Sequence, residues 1–254
     1  MKSSYAFYTL ACNEFKRVIR IWKQTLVPPI ITTVLFFIVF GSVMGSRLQE
    51  IEGFAYMQFL APGLIMMAVI TAAYTNVAAS LFTAKYQRCI EECLVAPVSN
   101  TSILLGYCFG GILRGLAIAL LLTLVSLFFV HIPIFNVWIC LGYVFFTSVV
   151  LSLAGFLNAL LARSFDDVAF VPDFILTPLS YLGGVFYAVE LLPSHLKWIS
   201  QFNPIVYIVK GFRYGFLGVQ GAHAFSTFLG LVLASILLFI INHKLLQRRF
   251  GLKL

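Results

Sequence analysis

A chain of 254 residues that is 61% hydrophobic and only 10% charged has too little charge to cover a water-facing surface, where about a quarter of residues normally carry charge. It must dissolve in lipid, which excludes a soluble domain. The net charge of +8 fits basic flanks of membrane spans rather than nucleic acid, because no basic run alternates with exposed aromatics.

The first predicted element is an amphipathic helix over Ser4–Trp22. Tyr8, Ala11, Phe15, Val18, Ile19 and Trp22 share one face, and Asn13, Lys16, Arg17 and Arg20 share the other. A basic amphipathic helix beside a span is expected to lie in the headgroup plane, with Lys16, Arg17 and Arg20 as its interfacial charges. Six apolar runs long enough to span follow: Leu26–Gly45, Met57–Phe82, Ile103–Val130, Val137–Ala162, Val168–Tyr187 and Phe225–Leu246. Pro28 and Pro29 are expected in the first turns of the first span, where missing amide donors cost least. With both termini cytoplasmic, twelve of the seventeen basic residues fall inside and four outside, and Arg114 lies within a span.

Between the second and third spans, residues 83–96 predict a short cytoplasmic helix. On a helical wheel Tyr86, Cys89, Ile90, Cys93 and Leu94 form an apolar arc, while Lys85, Arg88, Glu91 and Glu92 lie on the opposite, cytosolic arc. Ala96–Pro97 ends it, since a residue before proline leaves the α region. The small-residue pairs Gly41/Gly45, Gly106/Gly110 and Gly111/Gly115 predict a tightly packed bundle or a dimer face. Arg114 in the third span and Asp173 in the fifth are intramembrane charges that should face protein or water, and are candidates for an ion pair. Asp166 and Asp167 sit beside Arg163, placed to cap the fifth helix.

Residues 187–220 are too apolar for an exposed loop, yet two prolines interrupt them. Two half-length helices, about Ser194–Gln201 and Ile205–Leu217, are predicted, the second opened by Asn203 as N-cap and Pro204 at the first helical position. Helices of that length at a membrane face read as a re-entrant region. Glu190, Lys197, Lys210 and Arg213 are expected to gather near its outer mouth.

Catalytic and metal chemistry find no support: the five cysteines and four histidines form no ligand set, and neither a nucleophile elbow nor a P-loop is present. Any pumping must draw on a partner or on an ion gradient. The runner-up readings are an ion-coupled carrier and a polytopic membrane enzyme acting on lipid.

The strings "YMQFLAPGLIMM", "IEECLVAPV", "LAGFLNALLARSFDD", "LTPLSYLGGVFY" and "NPIVYIVKGFRYGFLG", in that order, resemble the ABC-2 type transporter permeases, and within them the YadH-like bacterial inner-membrane branch. The resemblance covers essentially the whole chain. It implies an all-α, polytopic membrane protein in which residues 1–254 form a single transmembrane domain of the bacterial inner membrane. It also implies a second copy of the chain, two ABC ATP-binding subunits carrying the ATP and magnesium, and contact with membrane lipid. Lys85 to Leu94 would be the coupling helix that meets the ATPase, and Asn203–Arg213 would help close the path toward the outside. The implied activity is export of a lipid-like, drug-like or glycan substrate.

Overall fold

The computed structural model describes residues 2–43, 50–51, 53–90, 98–130, 134–189, 192–219 and 224–248. Among these, the only β pairing is an isolated bridge between Ile51 and Phe54. The helices are α1 (Lys2–Arg20), α2 (Trp22–Val43), α3 (Tyr56–Tyr86), α4 (Asn100–Phe129) and α5 (Val137–Leu161), then a compound helix and three more. The compound helix is α6 (Phe165–Phe170), a π-helical turn (Val171–Leu176) and α7 (Thr177–Tyr181). It is followed by α8 (Ser194–Gln201), α9 (Pro204–Leu217) and α10 (Ala224–Gln247). Five of them, α2, α3, α4, α5 and α10, are long and apolar enough to cross a membrane.

In lipid every helix end must find partners for its orphan amides, and local sequence supplies them. Ser99 accepts from Ser102 N at the start of α4, and Asn136 accepts from Trp138 N and Ile139 N at the start of α5. Ser164 and Asp167 form a capping box on α6. Asn203 accepts from Ile205 N, with Pro204 at the first position of α9. The last two half-helices thus begin and end close to where the proline and asparagine signals place them.

The fifth predicted span is the main departure. Pro172 has no amide to offer the Val168 carbonyl, and the helix widens there into the π turn, with Thr177 N and Oγ1 both donating to Pro172 O. The freed Val168 carbonyl is taken by the Asn158 side chain of α5 at 3.1 Å. Helix ends at Tyr181 and the chain turns through Gly184, whose φ of +72° favours glycine. Residues 182–187, drawn in sequence as the end of a span, are a loop.

The core gathers on α3. Phe59, Leu60, Ile65, Met66, Val69 and Ile70 are fully enclosed, whereas α2 and α10 turn Ile31, Leu35, Leu233 and Leu237 outward. Glycines bring the neighbours in. Gly111 and Gly115 of α4 face Ala73 and Val77 of α3 and Ser148 and Ser152 of α5, and Gly155 of α5 sits on the Tyr74 carbonyl. Gly106 and Gly110 turn the other way, under Leu10 and Glu14 of α1. These glycines are therefore occupied within the chain rather than free for a second copy.

That last register repositions α1. Leu10 over Gly106 and Glu14 over Gly110 advance four residues in both helices, so α1 runs parallel to α4. At about 1.5 Å per residue, α3 (31 residues) and α4 (30 residues) exceed the hydrocarbon thickness of about 30 Å. The amphipathic helix is thus an added strut along α4, not a bar lying apart from the bundle.

The Gly155 contact is with backbone and has no side chain that can swing away. Gly155→Ala is expected to destabilise the purified protein by about 1–3 kcal/mol through overpacking, read as a lower thermal midpoint in detergent.

Candidate functional site

Thr71 and Thr75, one turn apart on α3, form the floor of two adjoining cavities. Their hydroxyls back-bond to Met67 O and Thr71 O, which satisfies the donors and leaves oxygen lone pairs available. The cavity on the α2 side, of about 270 Å³, is closed by Pro28, Pro29, Thr32, Thr33, Phe36 and Arg114. On the compound-helix side the other, of about 280 Å³, is bounded by Phe165, Val168, Pro172, Asp173 and Thr177. Five threonines, one cation and one carboxylate in otherwise apolar walls make an amphipathic cleft between membrane-length helices. Pro28 and Pro29 sit seven and eight residues into α2, not in its first turns. They withdraw the i→i−4 donors from the Gln24 and Thr25 carbonyls next to this cleft.

Arg114 and Asp173 do not pair. Among the described residues the one ion pair joins Arg17 to Glu14. Arg114 and Asp173 instead flank the threonine floor from opposite sides, and Asp173 is exposed.

The Arg17–Glu14 pair belongs to a cluster that the sequence pattern hides. Arg17 Nε and Nη2 donate to Glu14 Oε2 at 3.1 and 2.8 Å, and Nη2 also donates to the Asn76 carbonyl and Asn76 Oδ1 of α3, each at 3.0 Å. Ser80 Oγ donates to Glu14 Oε1. Arg17 therefore leaves the polar face assigned to it and joins the bundle side of α1 with Ala11, Glu14 and Val18. The remaining surface divides in two: Tyr5, Tyr8, Phe15, Ile19 and Trp22 form an exposed aromatic-rich stripe, and Asn13, Lys16 and Arg20 an exposed polar one. A carboxylate in an otherwise basic helix was the available signal, since Glu14 is the only acid before Glu50.

At its C-terminal end α3 continues to Tyr86, and Arg88 then takes a φ of +61°. Contrary to the helical-wheel expectation, Lys85 does not face the cytosol. It is 4% exposed, and its Nζ donates to Leu160 O at 3.2 Å and to Ala162 O at 2.6 Å, closing the C-terminus of α5. A cation there satisfies orphan carbonyls and complements the helix dipole. Arg88 and Cys89 are exposed and Ile90 is buried, whereas Glu91 and Glu92 lie outside the described residues. Nearby, Asp167 accepts from Arg163 N and Ser164 N at 2.8 and 3.1 Å. These bonds, made to the charged form, hold its carboxyl below the usual range.

Arg213 is likewise withdrawn from the open mouth assigned to it. It is 4% exposed, lies 3.6 Å over the Phe59 ring of α3, and donates to Gly184 O at 2.9 Å. Asn203 Nδ2 donates to Leu179 O at the end of α7, and Tyr56 Oη donates to Phe186 O. Lys197 and Lys210 are partly exposed, and Glu190 lies outside the described residues. Among the described residues no group of three or more His, Cys, Asp or Glu could hold a metal.

Removing one member of the α1 cluster strands the other charge. Arg17→Ala is expected to cost toward the lower end of about 3–5 kcal/mol, because Arg17 keeps some water contact. The Glu14→Gln/Arg17→Gln double variant should recover part of that loss in the same melts. For Asp167, whose folded value is depressed, the stabilisation is complete above the ordinary carboxylate value of about 3.9 and is lost as pH falls through its lower folded value. The difference in thermal midpoint between the parent and Asp167→Ala should be constant near neutrality and shrink below about pH 4.

Residues 5–217 match the sequence model of the ABC-2 type transporter family. The inner membrane transport permease YadH of Escherichia coli K12 is 51% identical over 249 residues, covering 98% of this chain and 97% of that protein. YadH of Shigella flexneri matches to the same extent. Nodulation protein J of Sinorhizobium fredii is 24% identical over 237 residues, covering 90% of this chain and 89% of its own. The match along most of the chain, on a bundle of membrane-length helices, makes this protein a multi-pass inner-membrane transport permease, and it belongs to the ABC-2 type transporter family.

Proposed function

We propose that the chain is the membrane half of an ATP-driven exporter, working as a homodimer with two separate ABC ATP-binding subunits. Residues 1–254 act as one transmembrane domain with both termini cytoplasmic. The compound helix from Val168 to Tyr181 serves as the fifth of six spans, and α8 and α9 form the re-entrant outer region. ATP and magnesium belong to the partner ATPase. The cargo is an amphipathic molecule of lipid-like, drug-like or glycan type, with a polar part that rides over threonine oxygens while its apolar part keeps to the cleft wall.

The observation that carries this reading is the cleft: a threonine floor on α3, flanked by α2 and the compound helix, in a chain of a transporter family. Lys85 and Arg213 contribute by holding α3 to α5 at one end and to the outer loop at the other. A displacement at the cytoplasmic segment then reaches the outer segment through one rigid helix. For ATP to drive that displacement, the ATPase must bind the two permease conformations with different free energies. Arg88, Glu91 and Glu92 are the groups assigned to that contact. Lys85 is left out because its ammonium is already engaged by α5.

Replacing Arg88, Glu91 and Glu92 together by alanine is expected to leave the thermal midpoint of the isolated permease within about 0.5 kcal/mol equivalent of the parent, as surface changes do. Permease-dependent stimulation of ATP hydrolysis in proteoliposomes should be lost. Unchanged stimulation would refute the coupling role of this segment.

A further inference from the structure

We infer that Arg114 is the anion-recognition residue of the cleft, so that the cargo is an amphipath with an anionic oxygen headgroup, a phosphate or carboxylate. The inference rests on the transporter reading above and narrows its substrate class.

Three observations converge. Arg114 lies near the middle of α4, in a span that carries no other charge, and it lines the cavity closed by Thr32, Thr33, Phe36, Thr71 and Thr75. Its Nε is enclosed and has no hydrogen-bond partner among the described residues. The charged group that acts on it is Arg17, another cation, whose own charge is already answered by Glu14. The cluster of Glu14, Arg17 and Arg114 therefore carries one positive charge more than it neutralises, and Asp173 across the threonine floor does not reach it.

An unanswered cation within a span is costly, and among the described residues nothing repays it. A mobile anion would. A guanidinium presents a planar fork suited to two oxygens of one phosphate or carboxylate. The threonine oxygens, whose donors are taken up by the helix, can accept from hydroxyl or amine groups on the same headgroup. Phe36, Leu64 and Met67 line the same cavity, giving an attached hydrocarbon chain an apolar wall. Charge, polar floor and apolar wall in one cavity select an anion that carries a tail.

The test is direct binding to the purified permease in phosphatidylcholine nanodiscs, without any ATPase. Labelled phosphatidylglycerol, labelled phosphatidylcholine of the same tail and inorganic phosphate serve as probes. Phosphatidylglycerol is expected to bind at least tenfold more tightly than phosphatidylcholine. The choline cation answers its own phosphate and leaves less charge for Arg114, so Arg114→Gln should erase the preference and Arg114→Lys should keep part of it. Inorganic phosphate should compete poorly; competition equal to the lipid's would overturn the requirement for a tail.

Because no described residue answers the charge, unliganded Arg114→Gln should melt no lower than the parent but lose the rise in midpoint that phosphatidylglycerol confers. A preference that survives in Arg114→Gln would overturn the assignment. Should that variant fail to fold, Thr32→Phe fills the same cavity without touching the charge and is expected to abolish the preference, and survival of the preference there would overturn it equally. Binding is measured here without ATP hydrolysis. A negative result leaves the coupling reading standing, and a failed coupling test leaves this one standing.

Discussion

The close approach of α3 to its neighbours is the constraint on which the rest of the molecule depends. In lipid the hydrophobic effect does not drive helices together, so packing and polar contacts must. Gly111, Gly115 and Gly155 let two backbones settle against α3. Gly63 does the same for the loop after α7, where the backbone of Val185 lies against it. With α3 fixed in this way, its polar residues are arranged along its length as attachment points. Tyr56 and Phe59 hold the loop after α7 and Arg213 of α9, Thr71 and Thr75 floor the cleft, Asn76 and Ser80 receive α1, and Lys85 closes α5.

The charged residues follow a matching logic. Arg213, Arg17 and Lys85 are all basic, all largely withdrawn from solvent, and each donates to a backbone carbonyl of an element distant in sequence. A carbonyl has lone pairs to spare even when it already serves a helix, so a cation can bind a helix end or a loop without a carboxylate. This explains how a chain with only nine acidic residues keeps several of its cations inside the fold. Arg114 is the exception, and the exception lies beside a cavity.

Features that rest on local chemistry were legible in the sequence. Asn203–Pro204 announces a helix start because both residues act within one turn, and the apolar runs announce α2, α3, α4, α5 and α10 because length and composition suffice. Features that rest on register were not. On its own helix Lys85 has the pattern of a solvent residue, because the carbonyls it serves lie 75 and 77 residues away. Arg17 shares its helical face with true surface cations in any wheel drawn on α1 alone, and only the parallel seating against Gly106 and Gly110 turns it inward. Pro172 was visible in the fifth span, but the π turn it accompanies depends on Asn158 of another helix taking up the orphaned carbonyl.

The seating of α1 also has a consequence in time. Glu14 and Arg17 leave the ribosome well ahead of their partners, since Asn76 follows Arg17 by 59 residues and Ser80 follows Glu14 by 66. Gly106 and Gly110, which make room for α1, come later still. Until α3 and α4 are made, its two charges have only each other as partners, and the groove that receives it does not yet exist. A helix with basic and aromatic stripes suits a bilayer surface, so the sequence pattern of α1 is compatible with a place its final contacts no longer show.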